Sequence, residues 1–190
     1  MKKVAAIVGM AGSGKTEAAA VFMKHGFSFI RLGQITLDEV VRRGLKPGED
    51  SEKPIRETIR KKHGMAAYAT LNFPKIDALL KRGNVVADGL YSWEEYIAFR
   101  NKYGKKFYVV AVYSSPRTRY KRLQKQKWDK EDKKMIRRHY MPKEAESRDF
   151  AELEKSKKGG PIAMADFTII NEVSKKDFIK NVEEIVRSIK

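Results

Sequence analysis

The chain is 190 residues long, 42% hydrophobic, free of cysteine, and carries a formal net charge of +17 with a pI near 9.9. This composition excludes global disorder, disulfides, thiolate metal sites and a cysteine nucleophile, and the length suits one domain over 1–190. No apolar stretch reaches the length of a membrane span, and Met1-Lys2-Lys3 leads straight into an apolar run rather than a signal peptide, so a cytoplasmic location without a membrane partner is expected.

In chain order, Val4-Ala5-Ala6-Ile7-Val8 has the length and branching of a buried parallel strand. Gly9 to Thr16, reading GMAGSGKT, then fits the pattern G-x-x-x-x-G-K-[ST], and Glu17 to Lys24 reads as a helix. Strand, glycine-rich loop and helix is the arrangement in which backbone N–H groups converge on an anion at a helix N-terminus. The ligand this predicts is a nucleoside triphosphate, held by Gly9, Ala11, Gly12, Ser13 and Gly14. Lys15 would reach the β- and γ-phosphates, and the Thr16 hydroxyl would ligate Mg²⁺. Gly9, Gly12 and Gly14 supply backbone freedom and a close approach that a Cβ would obstruct.

Gly26 stops the first helix, and His25 reads as a helix-end residue rather than a catalytic base. Phe27 to Ile30 is a second strand, Ile35 to Arg43 a helix, 46–53 a polar loop, and Ile55 to Lys62 another helix. Met65 to Arg82 reads as a longer helix interrupted near Pro74, its Met65, Ala66, Ala67 and Ala69 serving packing. Val85 to Gly89 is a third strand that ends in an acid, Asp88. Trp93 to Tyr103 is a helix and Phe107 to Tyr113 a fourth strand. Pro116 to Lys127 is a basic helix, followed by a polar, charged stretch up to Gly159-Gly160. Phe167 to Ile170 is a fifth strand, and Lys175 to Ile189 an amphipathic helix. Strands alternating with helices predict a three-layer α/β domain whose ligands sit at the carboxyl ends of parallel strands.

The surplus charge is uneven. Between Arg117 and Arg138 stand eleven Lys or Arg against three acids, a local excess of eight. Such a run is either a solvated helical face or a surface for polyanions. Lysine enrichment of the kind found on thermophile surfaces would produce the same net charge.

Taken together, GMAGSGKT (9–16), LGQ (32–34), VVADGLYSWEE (85–95), SSPRTRYKRL (114–123), RD (148–149) and ADFTIINEVS (165–174) resemble the P-loop kinases of small molecules. The likeness is to the adenylate kinase and dephospho-CoA kinase neighbourhood, and within it to archaeal-type adenylate-kinase-related proteins. It covers nearly the whole chain. It implies a P-loop NTPase fold with a five-stranded parallel sheet, a helical acceptor-binding insertion over 33–82 and a basic lid over 117–160. It also implies ATP and Mg²⁺ as donor and cofactor. By position, Asp88 resembles the acid that holds the Mg²⁺ shell or orients the acceptor, although a strand-end turn is the plainer alternative. Arg119 and Arg122 resemble arginines that open the lid helix, and Arg148 one that folds over the phosphates. Asn171 resembles an asparagine near the nucleotide base, with a turn residue as the alternative.

The chain departs from the pattern on the acceptor side. Adenylate kinases usually carry an acid where Gln34 stands, an arginine where Leu37 stands and another near Tyr91, and those arginines clamp the acceptor's phosphate. The acidic pair that dephospho-CoA kinases place after the second strand is missing from Arg31-Leu32-Gly33-Gln34. Two classes of function therefore stand side by side. One is an ATP-dependent kinase of a nucleotide or nucleotide-like small molecule, with Lys15, Asp88, Arg119, Arg122 and Arg148 as its catalytic set and a dephospho-CoA kinase as a variant. The other is an ATP- and nucleic-acid-binding regulatory protein, supported by the charge but by no nucleic-acid-binding motif.

Overall fold

The structure, a computed structural model, describes residues 1–126 and 141–190. Its elements in order are β1 (Val4–Val8), α1 (Lys15–Lys24), β2 (Ser28–Arg31), α2 (Gln34–Arg42), α3 (Glu49–His63), α4 (Ala67–Thr70), α5 (Phe73–Arg82) and β3 (Val85–Asp88). They continue with α6 (Trp93–Tyr103), β4 (Phe107–Tyr113), α7 (Pro116–Lys125), α8 (Pro142–Glu154), α9 (Gly159–Ala163), β5 (Phe167–Ile170) and α10 (Lys175–Ile189).

The strands form one parallel sheet in the order β2-β3-β1-β4-β5. β1 lies at its centre and is buried along its whole length, which is why its five residues are all apolar with no polar alternation. Side chains alternate between faces with the period of a strand. Val4, Ala6 and Val8 join Val85, Ala87, Val109 and Ala111 on one face, under Tyr68, Ile76, Tyr96 and Phe99 of α4, α5 and α6. Ala5 and Ile7 join Val86, Val110, Val112 and Ile169 on the other, against Ala18, Phe22, Phe178, Val182 and Val186 of α1 and α10. Each large side chain buried this way contributes roughly 1.5–3 kcal/mol. The three-layer α/β architecture with a five-stranded parallel sheet is the one expected.

Helix boundaries differ where proline and glycine mislead. α3 begins at Glu49, inside the segment read as a polar loop, and runs through Pro54. Proline lacks the N–H that would bond four residues back, a local cost offset here because α3 buries Ile55 beside α2. The break in the 65–82 helix falls at Leu71-Asn72, and Pro74 sits in the first turn of α5, where its missing donor costs nothing. α8 and α9 occupy the stretch read as merely polar. Gly159-Gly160 is part of α9: a Cβ at Gly160 would stand 2.7 Å from the Trp93 ring, so the glycine lets α9 seat on α6. The expected end of α7 at Lys127, and residues 127–140 of the expected lid, lie outside the described residues.

Candidate active site

The segment between β1 and α1 is held by its carbonyls. Lys15 Nζ donates to the Met10 carbonyl (3.0 Å), Arg119 Nη1 to that of Ala11 (3.1 Å) and Asn171 Nδ2 to that of Ser13 (2.8 Å). With those oxygens engaged, the loop's open groups are N–H donors, because the first turn of α1 has no side-chain cap. This is an anion cradle at a helix N-terminus, reinforced by the dipole. Two glycines are obligatory for packing. Gly14 has φ +106° and a Cβ there would collide with the Asn171 amide; Gly12 has φ +77° and would place a Cβ 2.9 Å from the Arg119 carbonyl.

Asp88 ends β3 directly beside Ile7 of β1, which brings its carboxylate to the mouth of the loop. It is 8% exposed, and its Oδ1 is buried without a hydrogen-bond partner among the described residues. Lys15 feels that charge. Burial and the nearby Lys158 push the Lys15 amine down to about 8, while Asp88 and Glu152 oppose the fall. Glu152 receives Lys158 at 2.6 Å and Arg148 at 3.0 Å. Burial would raise its carboxyl, but these two cations hold it down at about 2. Lys158 is 1% exposed and lies over the Tyr91 ring at 4.5 Å.

Of the residues expected from sequence, Lys15 and Asp88 are brought together, and Thr16 follows Lys15 in the first turn of α1, exposed to solvent. Arg148 reaches the same corner, since its charge acts on the Lys15 amine. Arg119 and Arg122, expected to open the lid helix as part of the catalytic set, stand in α7 with their guanidinium groups on protein partners. Arg119 is 3% exposed and forks onto Asp149 at 3.0 and 2.5 Å, with further bonds to the Ala11 and Ser114 carbonyls. Arg122 donates to the Ser114 hydroxyl and the Asn171 carbonyl, each at 2.8 Å. Both arginines in this structure tie α7 to the phosphate loop and to the end of β5. Asn171, expected near the base, braces the loop at Ser13. His25 sits at the end of α1, 3.9 Å from Glu183.

Sequence reasoning missed Asp149, Glu152, Lys158, Arg60 and Glu95. One signal was present: Ser92-x-x-Glu95 is a capping pattern, and the Ser92 hydroxyl does accept from the Glu95 N–H at 3.0 Å. Glu95 goes beyond a cap. It is fully buried, its Oε2 accepts from the Tyr91 N–H at 2.9 Å, and its Oε1 has no partner among the described residues. Burial pushes its carboxyl up to about 7, against the pull of the Tyr91 N–H and of Arg60.

The residue set fits a magnesium–nucleotide complex. Mg²⁺ on a triphosphate needs only one or two protein oxygens, and the orphaned Asp88 oxygen and the exposed Thr16 hydroxyl meet that need. Among the described residues no three His, Asp or Glu side chains gather into a metal cluster of their own. No helix among them is long and apolar enough to cross a membrane.

Comparison with known proteins agrees with this fold. Shikimate kinase from Bacteroides thetaiotaomicron shares the fold with TM-score 0.59 and 16% identity, over 97% of this chain and 98% of that one. A gluconokinase from Sinorhizobium meliloti 1021 does so with TM-score 0.56 and 15% identity, over 98% and 93%. A UPF0200 protein of Thermococcus gammatolerans is 36% identical across 96% of this chain and 93% of its own length. The AAA domain model AAA_18 matches residues 6–151. On these two matches the chain belongs to the AAA_18 family of AAA domains and to the UPF0200 proteins.

Proposed function

We propose that the protein is an ATP-dependent phosphotransferase acting on a nucleotide or nucleotide-like small molecule. The observation that carries this reading is the buried, unpartnered Asp88 oxygen set beside Lys15 at the mouth of the phosphate loop. A purely structural strand-end acid would spend both oxygens on backbone donors.

The γ-phosphoryl group leaves the bridging oxygen of ATP for an acceptor oxygen; ADP departs, and the acceptor's proton passes to Asp88. Lys15 and the α1 amides hold the β- and γ-phosphates, and Lys15 exchanges the Met10 carbonyl for phosphate oxygen. Thr16 and Asp88 are the residues that would hold Mg²⁺, whose charge neutralises the phosphates when it is bound. Arg148 lies close enough to Lys15 to stabilise charge on the transferring oxygens. Arg119 and Asn171 are positioning residues that hold the loop's Ala11 and Ser13 carbonyls so that its N–H groups face the ligand, and Arg122 braces them through Ser114 and the Asn171 carbonyl.

The acceptor enters between the 33–82 helices and the sheet, in a cytoplasmic setting. The test is a transfer assay with γ-labelled ATP across nucleoside monophosphates, nucleosides and dephospho-CoA. Label must appear in one of them at a rate that Lys15→Ala abolishes. Binding of RNA with a steep loss on added salt, and transfer to none of them, would favour the nucleic-acid-binding reading instead.

A further inference from the structure

Outside the phosphate loop a set of buried charge lies where α3, the start of α6 and the α8–α9 junction meet. Two orphaned polar atoms of opposite kind sit there. Arg60 Nε is a buried donor without an acceptor, and Glu95 Oε1 a buried acceptor without a donor, among the described residues. The two side chains act on one another electrostatically, and Lys158 acts on Glu95 as well. The rest of Arg60 is fixed: its guanidinium lies over the Tyr68 ring at 5.5 Å and its Nη1 donates to Ser156 Oγ at 3.4 Å. Buried polar groups are paired in the great majority of native structures, and each unpaired one costs about 1–3 kcal/mol. Two in one corner, held in place yet unsatisfied, describe a site prepared for a ligand.

Resting on the phosphotransferase reading above, we propose that Arg60, Glu95 and Lys158 form the acceptor subsite, and that it takes a small anion carrying a hydroxyl group. An O–H donor satisfies Glu95 Oε1 and an anionic oxygen satisfies Arg60 Nε. The charge balance favours an anion over a neutral sugar, because Glu152 is divided between Lys158 and Arg148, which leaves this corner with surplus positive charge. Lys158 joins the two halves of the site, since it acts on the Lys15 amine on one side and on Glu95 on the other. Arg60 thus supplies, from α3, the acceptor-side arginine that Leu37 and Tyr91 do not.

The test uses matched probes: glycerol 3-phosphate, D-glycerate and glycerol, read as shifts in melting temperature of the whole chain and as affinities by calorimetry. At least one of the two anions should bind and stabilise the wild-type chain while glycerol does not, and which of them binds separates a phosphate from a carboxylate headgroup. Arg60→Ala and Glu95→Gln should each weaken that binding about 10-fold or more, the worth of one charge-assisted hydrogen bond. Affinity for ATP should stay within about twofold, below the loss of any single hydrogen bond. Should Arg60→Ala fold poorly, Arg60→Lys keeps the charge without the Nε–H and must show the same loss. Equal binding of all three probes, binding of neither anion, or unchanged affinity in the variants overturns the subsite. Failure of ATP to bind, measured separately, would instead remove the phosphotransferase reading and leave the anion measurements standing.

Discussion

The donor and acceptor sides of this molecule are built on opposite terms. At the phosphate loop the backbone is already braced: Lys15, Arg119 and Asn171 hold the carbonyls of Met10, Ala11 and Ser13, and one Asp88 oxygen is left open. Across the site, Arg60 and Glu95 are rigidly backed by Tyr68, Ser156 and Tyr91 yet leave their reactive atoms unpaired. The first side is braced in advance, as the proposed binding of a nucleoside triphosphate requires. The second leaves two buried polar atoms open, and on the proposed reading specificity resides there, since a site built to hydrogen-bond a group rejects molecules lacking it. The contrast teaches that unsatisfied buried atoms, more than sequence motifs, locate the part of a kinase-like site that is particular to one substrate.

The sharpest way to break the comparison is at the donor side. Lys15→Ala should lower turnover about a thousandfold or more, the scale of losing a preorganised phosphate contact, with the fold retained by circular dichroism. A folded variant with near-normal turnover would sink the role given to this lysine. Asp88→Asn should cut turnover by about 10²–10⁴, the usual worth of a proton acceptor, with a smaller change in ATP affinity. Normal turnover joined to a much lower melting temperature would make Asp88 a structural acid.

Arg119 separates support from chemistry. The Arg119–Asp149 pair is almost fully buried, so Asp149→Ala should cost about 3–5 kcal/mol in denaturant unfolding by leaving the guanidinium uncompensated. It should also weaken ATP binding, because the same guanidinium holds the Ala11 carbonyl. Lost turnover with unchanged stability and ATP affinity would return Arg119 to the role of a transition-state cation.

The smallest effect sharpens the acceptor side. Burial raises the Glu95 carboxyl from 4.5 to about 7, so the folded state binds a proton more tightly there than the unfolded chain does. Its contribution to stability is therefore complete below pH 4.5 and is lost as pH rises through 7. Glu95→Gln should remove that loss: relative to wild type, the variant gains stability between pH 5 and pH 8, by up to about 3 kcal/mol at 1.36 kcal/mol per unit. A stability difference that does not change with pH would show that Glu95 is no buried, unsatisfied acid.

The strands, the phosphate loop and Asp88 were legible because each is written in contiguous residues. A five-residue apolar run, a glycine pattern and an acid at a strand end are local signals, and a strand buried on both faces has little freedom to be anything else. The start of α3 and the whole of α9 were illegible for the same reason in reverse: Pro54 and Gly159-Gly160 are local stop signals, overridden by the burial of Ile55 and by a ring, Trp93, that only a glycine lets come close.

By itself, then, the sequence determined a parallel α/β domain with a glycine-rich loop between its central strand and first helix. What only the tertiary structure decided is how the arginines are spent. Arg119 reaches a carbonyl 108 residues away and Asn171 one 158 residues away, so neither bond has any trace in local spacing. The same holds for the corner shared by Arg60, Glu95 and Lys158, drawn from three separate segments. Whether a buried charge is paired or left waiting depends on which chain segments the sheet brings together, and the desolvation that makes the difference costly exists only once the chain is folded.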